Sequence, residues 1–334
     1  MTSDPRRLAL ALGLAASLMA APPARAQFSL GDQRSGTSSG TFLKIGVGAR
    51  AAALGDAFVA VANDPSAIFW NPAGLASEQR QELQLSHVDW PADVRYEHLA
   101  CVLPVKRIGG SVGFQFGVLG TRIDETTESK PYGTGNSFVY SDAVAGVAYA
   151  RRWTDKLLIG AGLKWVHEDL GTDVGGPSTS AWLVDLGSIY YLGYGSVRIA
   201  TSLTSFGAQL KPSGTYVSPY TGEQRSYDGF DPPTVFRYGL AFEPVENPQQ
   251  RLTVSIEANQ PADNAQQLKT GLEWTWQRRL ALRGGYNFNA DALKYAAGAG
   301  LYFSVGQTHA SLDYAYTGAA SLGAVNRLSL DMRF

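Results

Sequence analysis

From residue 82 to its end, the chain consists of segments of about ten residues in which apolar and polar positions alternate. The last segment shows this best, because Leu328, Leu330 and Met332 share one face while Arg327 and Asp331 share the other. Successive side chains of a strand point to opposite sides, so each segment predicts a strand with one apolar and one polar face. Strands of this kind are typical of β-barrels that span a membrane.

The alternation predicts about fourteen strands, an even number as in single-chain bacterial barrels. They are residues 82–90, 95–105, 109–121, 138–152, 157–170, 180–193, 196–207, 233–243, 251–260, 266–276, 280–289, 293–305, 308–317 and 324–334. Every second connection is short, whereas the other set includes about 16 residues after Thr121 and about 25 after Gly207. In outer-membrane barrels, short periplasmic turns alternate with longer extracellular loops in the same way. We therefore expect an all-β, antiparallel transmembrane barrel in a Gram-negative-type outer membrane, with both termini in the periplasm.

A soluble β-sandwich would also alternate, so the tryptophans are a second criterion. Five of them fall near predicted strand ends, namely Trp90, Trp153, Trp182, Trp274 and Trp276. Tryptophans at strand ends are typical of the aromatic girdles at the two membrane surfaces. They favour a membrane barrel with outer-membrane lipids as its surroundings.

The N-terminus predicts export through a cleavable signal peptide over residues 1–26. Arg6 and Arg7 precede the apolar stretch 8–21, and Ala24-Arg25-Ala26 fits the small-residue pattern of a cleavage site. The apolar stretch is about 14 residues long, which is too short for a membrane-spanning helix. The mature chain is expected to begin at Gln27.

Residues 27–81 form a separate block that is rich in alanine and glycine and only weakly periodic, unlike a lipid-facing strand. Asp64-Pro65 and Asn71-Pro72 each place a capping residue before a proline, which predicts short helical turns at about 65–70 and 72–77. We interpret this block as an N-terminal plug or hatch in the lumen of a barrel formed by residues 82–334. The alternative is a periplasmic extension below the barrel.

The stretch from Gly48 to Ala76 resembles the N-terminal signature of the PorV/PorQ family of outer-membrane proteins, relatives of the FadL long-chain fatty-acid transporters. Its Asn71-Pro72-Ala73 triplet is similar to the Asn-Pro-Ala element of the FadL-type hatch, so these three are the candidate ligand or hatch residues. The resemblance implies a role beside the type IX secretion machinery, with its components or cargo bearing a sorting domain as partners. It also implies FadL-like passage of hydrophobic small molecules.

Composition and candidate chemistry add little to this picture. The formal net charge of −1 gives no field that would favour nucleic acid, and a lone Cys101 cannot form a Cys-x-x-Cys pair. The four histidines show no metal-binding spacing, so neither a metal nor a cofactor is expected. The residues around Ser111 match the Gly-x-Ser-x-Gly nucleophile motif, but strand alternation continues through them, whereas that motif needs a strand turning into a helix.

Three functions follow as hypotheses. The first is a non-enzymatic barrel of the PorV/PorQ type that assists protein secretion or surface attachment. The second is a FadL-like transporter or channel in which the N-terminal block gates a hydrophobic ligand. The third, and least favoured, is an outer-membrane hydrolase that uses Ser111 and His167.

Overall fold

The fold is a closed barrel of fourteen antiparallel strands. The structure is a computed structural model, and it describes residues 35–77, 80–218, 220–290 and 292–334. The barrel strands are β1 (Glu82–Trp90), β2 (Val94–Val105), β3 (Gly110–Asp124), β4 (Ser137–Arg152), β5 (Leu157–Asp169), β6 (Ser178–Tyr191), β7 (Arg198–Gly207), β10 (Val235–Glu246), β11 (Gln250–Pro261), β12 (Gln267–Trp276), β13 (Leu280–Asn287), β14 (Tyr295–Val305), β15 (Thr308–Gly318) and β16 (Ala324–Arg333). Strands β8 (Thr215–Val217) and β9 (Gln224–Ser226) form a separate hairpin. The predicted signal peptide lies outside the described residues.

Closure is achieved by pairing of the first barrel strand with the last, for example Leu85 with Leu330. Each barrel strand pairs with two neighbours, so the sheet has no free edge and its backbone hydrogen bonds are made within the sheet. The predicted all-β fold class is therefore confirmed, strand by strand and within a few residues at each end. The sequence did not predict the β8–β9 hairpin, which lies within the long connection after Gly207.

The barrel wall has apolar side chains on its outer face and polar side chains on its inner face, which is the inverse of the arrangement in a soluble protein. In β12, Leu272 is 43% exposed on the outer face, whereas its neighbour Glu273 is fully buried in the interior. The same alternation places charged and polar side chains inside all round the barrel, including Gln84, Gln115, Lys164, Asp185, Arg237, Glu257, Lys269, Arg283, Asp313 and Arg327. An apolar outer surface is stable against lipid, and a polar interior is stable where it is hydrogen-bonded or in contact with water.

The connections fall on two rims according to their length. One rim carries the short turns, such as Gln277–Arg279 between β12 and β13, and we call it the turn side. The other, the loop side, carries the long connections, including that from Ala208 to Thr234 with its β8–β9 hairpin. Because the strands alternate in direction, the start of β1 and the end of β16 both lie on the turn side.

Residues 35–77, here called the N-terminal segment, lie inside the barrel. Its elements are a 3₁₀ helix at Thr41–Lys44, helix α1 (Ala49–Ala53), helix α2 (Ala67–Trp70) and a 3₁₀ helix at Pro72–Ser77. It contacts strands on opposite walls, since α1 packs on β13 to β16 and Pro72–Ser77 packs on β3 to β6. No helix in the described parts of the chain is long and apolar enough to cross a membrane.

Candidate functional site

The N-terminal segment shares an apolar core with inward-facing side chains of the wall, such as Tyr96 and Leu183. Phe58 and Trp70 are fully buried and pack edge to face, with ring centroids 6.1 Å apart. The indole of Trp70 donates a hydrogen bond to the carbonyl of Val47, 3.0 Å away. Burial of these large side chains fixes the position of the segment in the lumen.

The Asn71-Pro72-Ala73 triplet lies where this body meets the wall. Asn71 is fully buried, and its amide nitrogen donates to the carbonyl of Val59 within the segment and to that of Ser188 in β6, at 3.0 and 3.2 Å. Its side-chain oxygen accepts from the amide of Ala73 at 3.1 Å, the contact expected of a capping asparagine. Asn71 thus links two parts of the segment to a barrel strand.

Two glycines in the wall make room for the triplet. Gly160 and Gly187 are directly opposite each other in β5 and β6. A Cβ on Gly187 would lie 2.0 Å from the side-chain oxygen of Asn71, and one on Gly160 would lie 2.4 Å from the carbonyl carbon of Pro72. Because any larger residue would displace the triplet, this glycine pair forms a shallow notch for it.

A second glycine pair receives the segment on another wall. Gly271 and Gly285 are partners in β12 and β13, and the turn at Leu54-Gly55 lies against them. A Cβ on Gly285 would lie 2.0 Å from the amide nitrogen of Gly55. The segment is therefore held between two glycine notches, an arrangement that requires backbone-to-backbone approach at both.

Ionic contacts add to the steric fit. Arg50 of α1 makes two hydrogen bonds to Glu273 of β12, at 2.8 and 3.0 Å, and a 3.2 Å contact with Asp64. Burial alone would lower the pKa of the Arg50 guanidinium, but the Glu273 carboxylate outweighs burial and holds that pKa well above its ordinary value. Arg50 therefore stays charged, and Glu273 anchors the segment to the wall.

Wall side chains also bind the backbone of the segment. Glu257 accepts hydrogen bonds from the amides of Phe58 and Val59, at 2.9 and 2.8 Å. Arg198 donates to the carbonyl of Ala60 at 2.7 Å, and Glu168 accepts from the amide of Gly40 at 2.7 Å. These contacts satisfy groups that would otherwise be buried without a partner.

The segment lies between two lumen cavities. The one on the loop side, of about 630 Å³, is called the loop-side cavity, and Ala52, Asp56 and Trp70 of the segment contribute to its lining. The one on the turn side, of about 950 Å³, is called the turn-side cavity, and Arg50 and Asp64 contribute to its lining. Helix α1 thus presents Arg50 to one cavity and Ala52 to the other.

The two cavities differ in charge. The turn-side cavity is lined by equal numbers of arginines and carboxylates, which are Arg50, Arg251, Arg278, Arg279 and Arg333 with Asp64, Glu82, Glu246, Asp313 and Asp331. The loop-side cavity is lined by five cations and a single carboxylate, which are Lys44, Arg237, Lys269, Lys294 and Arg327 with Asp56. An excess of one sign in a concave site concentrates ions of the opposite sign.

The structure places the other residues singled out from sequence as follows. Trp90 points into the lumen, where it lines the loop-side cavity and lies beside the Arg327 guanidinium, so its assignment to a lipid-facing girdle was wrong. The period of the strand explains this, because Trp90 shares the face of buried Gln84 and Val88. Trp182, by contrast, is exposed on the outer face, as expected.

The structure does not bring Ser111 and His167 together. His167 and His309 are instead each hydrogen-bonded to another serine, to Ser180 at 2.9 Å and to Ser304 at 2.8 Å. Ser111 lies at the turn-side end of β3 and is buried toward the lumen, whereas His167 lies at the loop-side end of β5 and stacks on the outward-facing Trp165. In the described ranges, no three His, Cys, Asp or Glu side chains are grouped in a way that could hold a metal ion. The two cavities offer charged and polar side chains to a bound molecule.

Comparisons with solved structures agree with this geometry. The toluene transporter TbuX of Ralstonia pickettii aligns with 86% of this chain and 97% of its own, at 13% identity and a TM-score of 0.53. The toluene transporter TodX of Pseudomonas putida aligns with 84% and 96%, at 14% identity and a TM-score of 0.52. The monoaromatic hydrocarbon channel CymD aligns with 86% and 97%, at 15% identity and a TM-score of 0.54. At these identities the likeness shows the fold, a FadL-like outer-membrane barrel.

Sequence comparisons add less. Residues 16–164 match the model of UPF0164, an uncharacterised protein family. No curated protein matches the chain. The family model and the three solved structures named above do not connect the chain with the PorV/PorQ family or with type IX secretion, so that part of the expectation stays a prediction.

Proposed function

We propose that this protein is a FadL-like channel of the outer membrane that admits small organic molecules, with the N-terminal segment as its gate. In this proposal the loop side faces the exterior and both chain termini face the periplasm. The observation that carries it is the position of the segment between two lumen cavities. A plug that only stabilised the barrel would not need a cavity on each side of it.

The printed names of TbuX, TodX and CymD describe transporters or channels for toluene and monoaromatic hydrocarbons. They support passage of small molecules as the general class of function, and they favour a transporter over a secretion accessory. We propose no enzymatic activity. The chemical nature of the molecule depends on the side chains that line the lumen of this chain.

We assign Asn71, Pro72 and Ala73 to the gate as the element that holds it against the wall. The triplet contacts β6 through one side-chain hydrogen bond, from Asn71 to Ser188, and otherwise through steric fit into the Gly160–Gly187 notch. A contact of this kind can be broken without leaving a buried charge behind. Release at this notch is therefore the least costly way for the segment to begin moving.

The gate is tested by filling the notch with a single methyl group. We expect Gly187→Ala to displace the triplet, because the added Cβ would lie 2.0 Å from the oxygen of Asn71. The matched control is Gly120→Ala in β3, where an added Cβ would approach only a carbonyl oxygen at 3.9 Å. Ion conductance in planar bilayers is expected to be several-fold higher for Gly187→Ala than for the wild type, and unchanged for Gly120→Ala.

Folding is checked in parallel by the far-ultraviolet circular dichroism of both variants and by their mobility in gels with and without heating. A folded Gly187→Ala protein with the conductance of the wild type would contradict a gate at this notch. Uptake of labelled toluene by Gram-negative cells expressing the wild type tests transport itself. Uptake no faster than in cells without the protein would contradict a channel function.

The secretion hypothesis is tested separately. Affinity isolation of the detergent-solubilised protein from its own membranes should recover secretion components or sorting-domain cargo if that hypothesis holds. Because no observation in the lumen favours it over transport, we do not adopt it as the proposed function.

A further inference from the structure

A cluster of cations lies on the turn side, where strands β2 to β5 end. Two short stretches, 106–107 and 151–156, contain five exposed basic residues, here called the basic patch: Lys106, Arg107, Arg151, Arg152 and Lys156. The same stretches contain a single carboxylate, that of Asp155. No ion pair links a cation of the patch to a carboxylate within the described parts of the chain. Cations gathered in this way repel one another, so the patch is suited to a partner that supplies negative charge.

The two stretches form one surface because the wall holds them side by side. Ser111 at the start of β3 pairs with Ala150 near the end of β4, which brings the β2–β3 turn next to Arg151. The hydroxyl of Tyr149 donates a hydrogen bond to the carbonyl of Ile108 in that turn, 2.8 Å away. The cations of both stretches can therefore act on one bound group.

Arg151 faces the membrane and not the lumen. It shares the outer face of β4 with Val147, which is 43% exposed. Its guanidinium lies 5.1 Å from the ring centroid of Trp153, whose side chain is 59% exposed. An outward tryptophan at a strand end is typical of the membrane interface, so Arg151 lies at the level of the lipid headgroups. A guanidinium that stacks by its face keeps its N–H groups in its plane, where they can bind phosphate oxygens.

An apolar surface continues from Arg151 along the outer wall. Val147 lies between its pairing partners Phe114 of β3 and Leu163 of β5, and the three side chains form an exposed apolar row. This row is four residues from Arg151, or about 13 Å along the strand. A cation above an apolar surface at this separation matches a phospholipid, whose charged phosphate lies above its acyl chains.

The opposite ends of the neighbouring strands do not show this bias. Exposed residues at the loop-side ends of β1 to β3 carry both signs, namely Asp89, Asp93, Glu97 and Asp124 with Arg95 and Arg122. His87 on the same outer face lies 2.5 Å from Glu97 and 3.3 Å from Asp89. These groups can compensate one another, whereas the basic patch requires its negative charge from outside the chain.

We propose that the basic patch binds the headgroup of an anionic phospholipid in the leaflet on the turn side. Arg151 binds the phosphate, and the acyl chains lie on the row of Phe114, Val147 and Leu163. An acidic protein arriving from the water could reach the turn at Lys106, but it would not cover the outward face below Arg151. The patch lies on the outside of the barrel, so this inference does not depend on the channel function.

Native mass spectrometry of the full-length protein in detergent tests the inference. The protein is mixed with equal amounts of phosphatidylglycerol and phosphatidylcholine that have identical acyl chains. Both lipids carry a phosphate, but only phosphatidylglycerol has a net negative charge. We expect about tenfold more phosphatidylglycerol than phosphatidylcholine to remain bound, since several cations of the patch act on the same headgroup.

Two variants and a control locate the site. Arg151→Gln is expected to reduce retention of phosphatidylglycerol about fivefold, because it removes the cation at headgroup level. Arg107→Gln in the neighbouring turn is expected to reduce it about two- to threefold. The matched control Arg278→Gln removes an exposed cation of the same rim that lines the turn-side cavity, and retention is expected to be unchanged.

A second measurement places the lipid in a bilayer. The protein is reconstituted in phosphatidylcholine vesicles that contain a minor fraction of either brominated phosphatidylglycerol or brominated phosphatidylcholine. We expect brominated phosphatidylglycerol to quench the tryptophan fluorescence more strongly, and Trp153→Phe to remove most of that difference. Arg151→Gln should keep the conductance of the wild type, because Arg151 lies outside the lumen.

Equal retention of the two lipids would overturn the inference, as would equal losses in Arg151→Gln and Arg278→Gln. Displacement of phosphatidylglycerol by an excess of inorganic phosphate would also overturn it, since the patch would then be a site for a free ion. Polyglutamate that binds the wild type and Arg151→Gln equally well, and displaces the lipid, would assign the patch to an acidic protein instead.

Discussion

The turn-side and loop-side cavities lie on either side of the N-terminal segment, and the charges of their linings are balanced in the first and mainly positive in the second. On the turn side, each guanidinium near the segment has carboxylate neighbours, as in the chain of contacts from Arg50 through Glu273 and Arg283 to Asp313. On the loop side, Arg327 has no carboxylate oxygen within 4.0 Å among the described residues. Both cavities are polar, so polarity does not distinguish them. The balance of charge does, because the turn-side lining has as many carboxylates as arginines and the loop-side lining has an excess of cations.

The largest effect is expected from removing one carboxylate from the ion-pair network on the turn side. Glu273→Gln removes the carboxylate that Arg50 and Arg283 share, at 2.8 and 2.7 Å. Leaving these buried guanidinium groups without their partner is expected to cost about 3–5 kcal/mol of stability. We expect the variant to unfold at a clearly lower urea concentration in detergent, followed by tryptophan fluorescence, and its N-terminal segment to be cut faster by protease.

The control for that variant is Glu246→Gln, which makes the same chemical change at a carboxylate that lines the turn-side cavity. Glu246 is exposed, and no cation among the described residues pairs with it, so its loss is expected to be nearly neutral. Equal destabilisation by the two substitutions would show that the ion-pair network around Glu273 has no special structural role.

A smaller effect is expected from moving the dividing segment without changing any charge. Gly285→Ala would bring a methyl group to within 2.0 Å of the amide of Gly55, whereas Gly284→Ala, one residue earlier, meets nothing within 4 Å. We expect Gly285→Ala to lower stability by about 1–3 kcal/mol and to raise ion conductance, while Gly284→Ala retains wild-type behaviour. Conductance and urea unfolding measure the two effects, and identical results for the neighbouring positions would exclude a close fit at this notch.

The smallest expected effect is spectroscopic and compares an inner with an outer tryptophan. Trp90 lines the cationic loop-side cavity, whereas Trp274 lies on the outer face of β12. Trp90→Phe should reduce the fraction of fluorescence that iodide quenches, because this anion enters the positive cavity. Trp274→Phe should instead reduce quenching by brominated lipid. If Trp90→Phe instead reduced quenching by brominated lipid, Trp90 would lie against the membrane and would not be part of the cavity.

Strand content was predictable because its cause is local. A strand with lipid on one side and a polar lumen on the other must alternate residue by residue. The faces of Leu272 and Glu273 can therefore be predicted from the strand alone. The parity of loop lengths is likewise a property of the linear sequence. The hairpin after Gly207 was missed because its strands, Thr215–Val217 and Gln224–Ser226, are short and exposed on both faces.

The candidate site was only partly predictable. Capping signals located the turns around Asp64 and Asn71, but nothing near Asn71 in the sequence indicates that its amide reaches Ser188, more than a hundred residues away. The girdle assignment of Trp90 failed because proximity to a strand end does not tell which face a side chain occupies. That decision depends on register, which the neighbours of β1 establish.

The sequence by itself determined that this chain forms a barrel of alternating strands preceded by a block of small residues. The reason is that strand period and turn residues are properties of neighbouring positions in the chain. Only the tertiary structure decided that Gly160 meets Gly187 and that Gly271 meets Gly285 to receive the block. It alone placed Arg327 and Lys294 in one cavity, with no carboxylate oxygen within 4.0 Å of either among the described residues. Charge balance in a lumen is a sum over strands distant in sequence, and closure of the barrel brings them together.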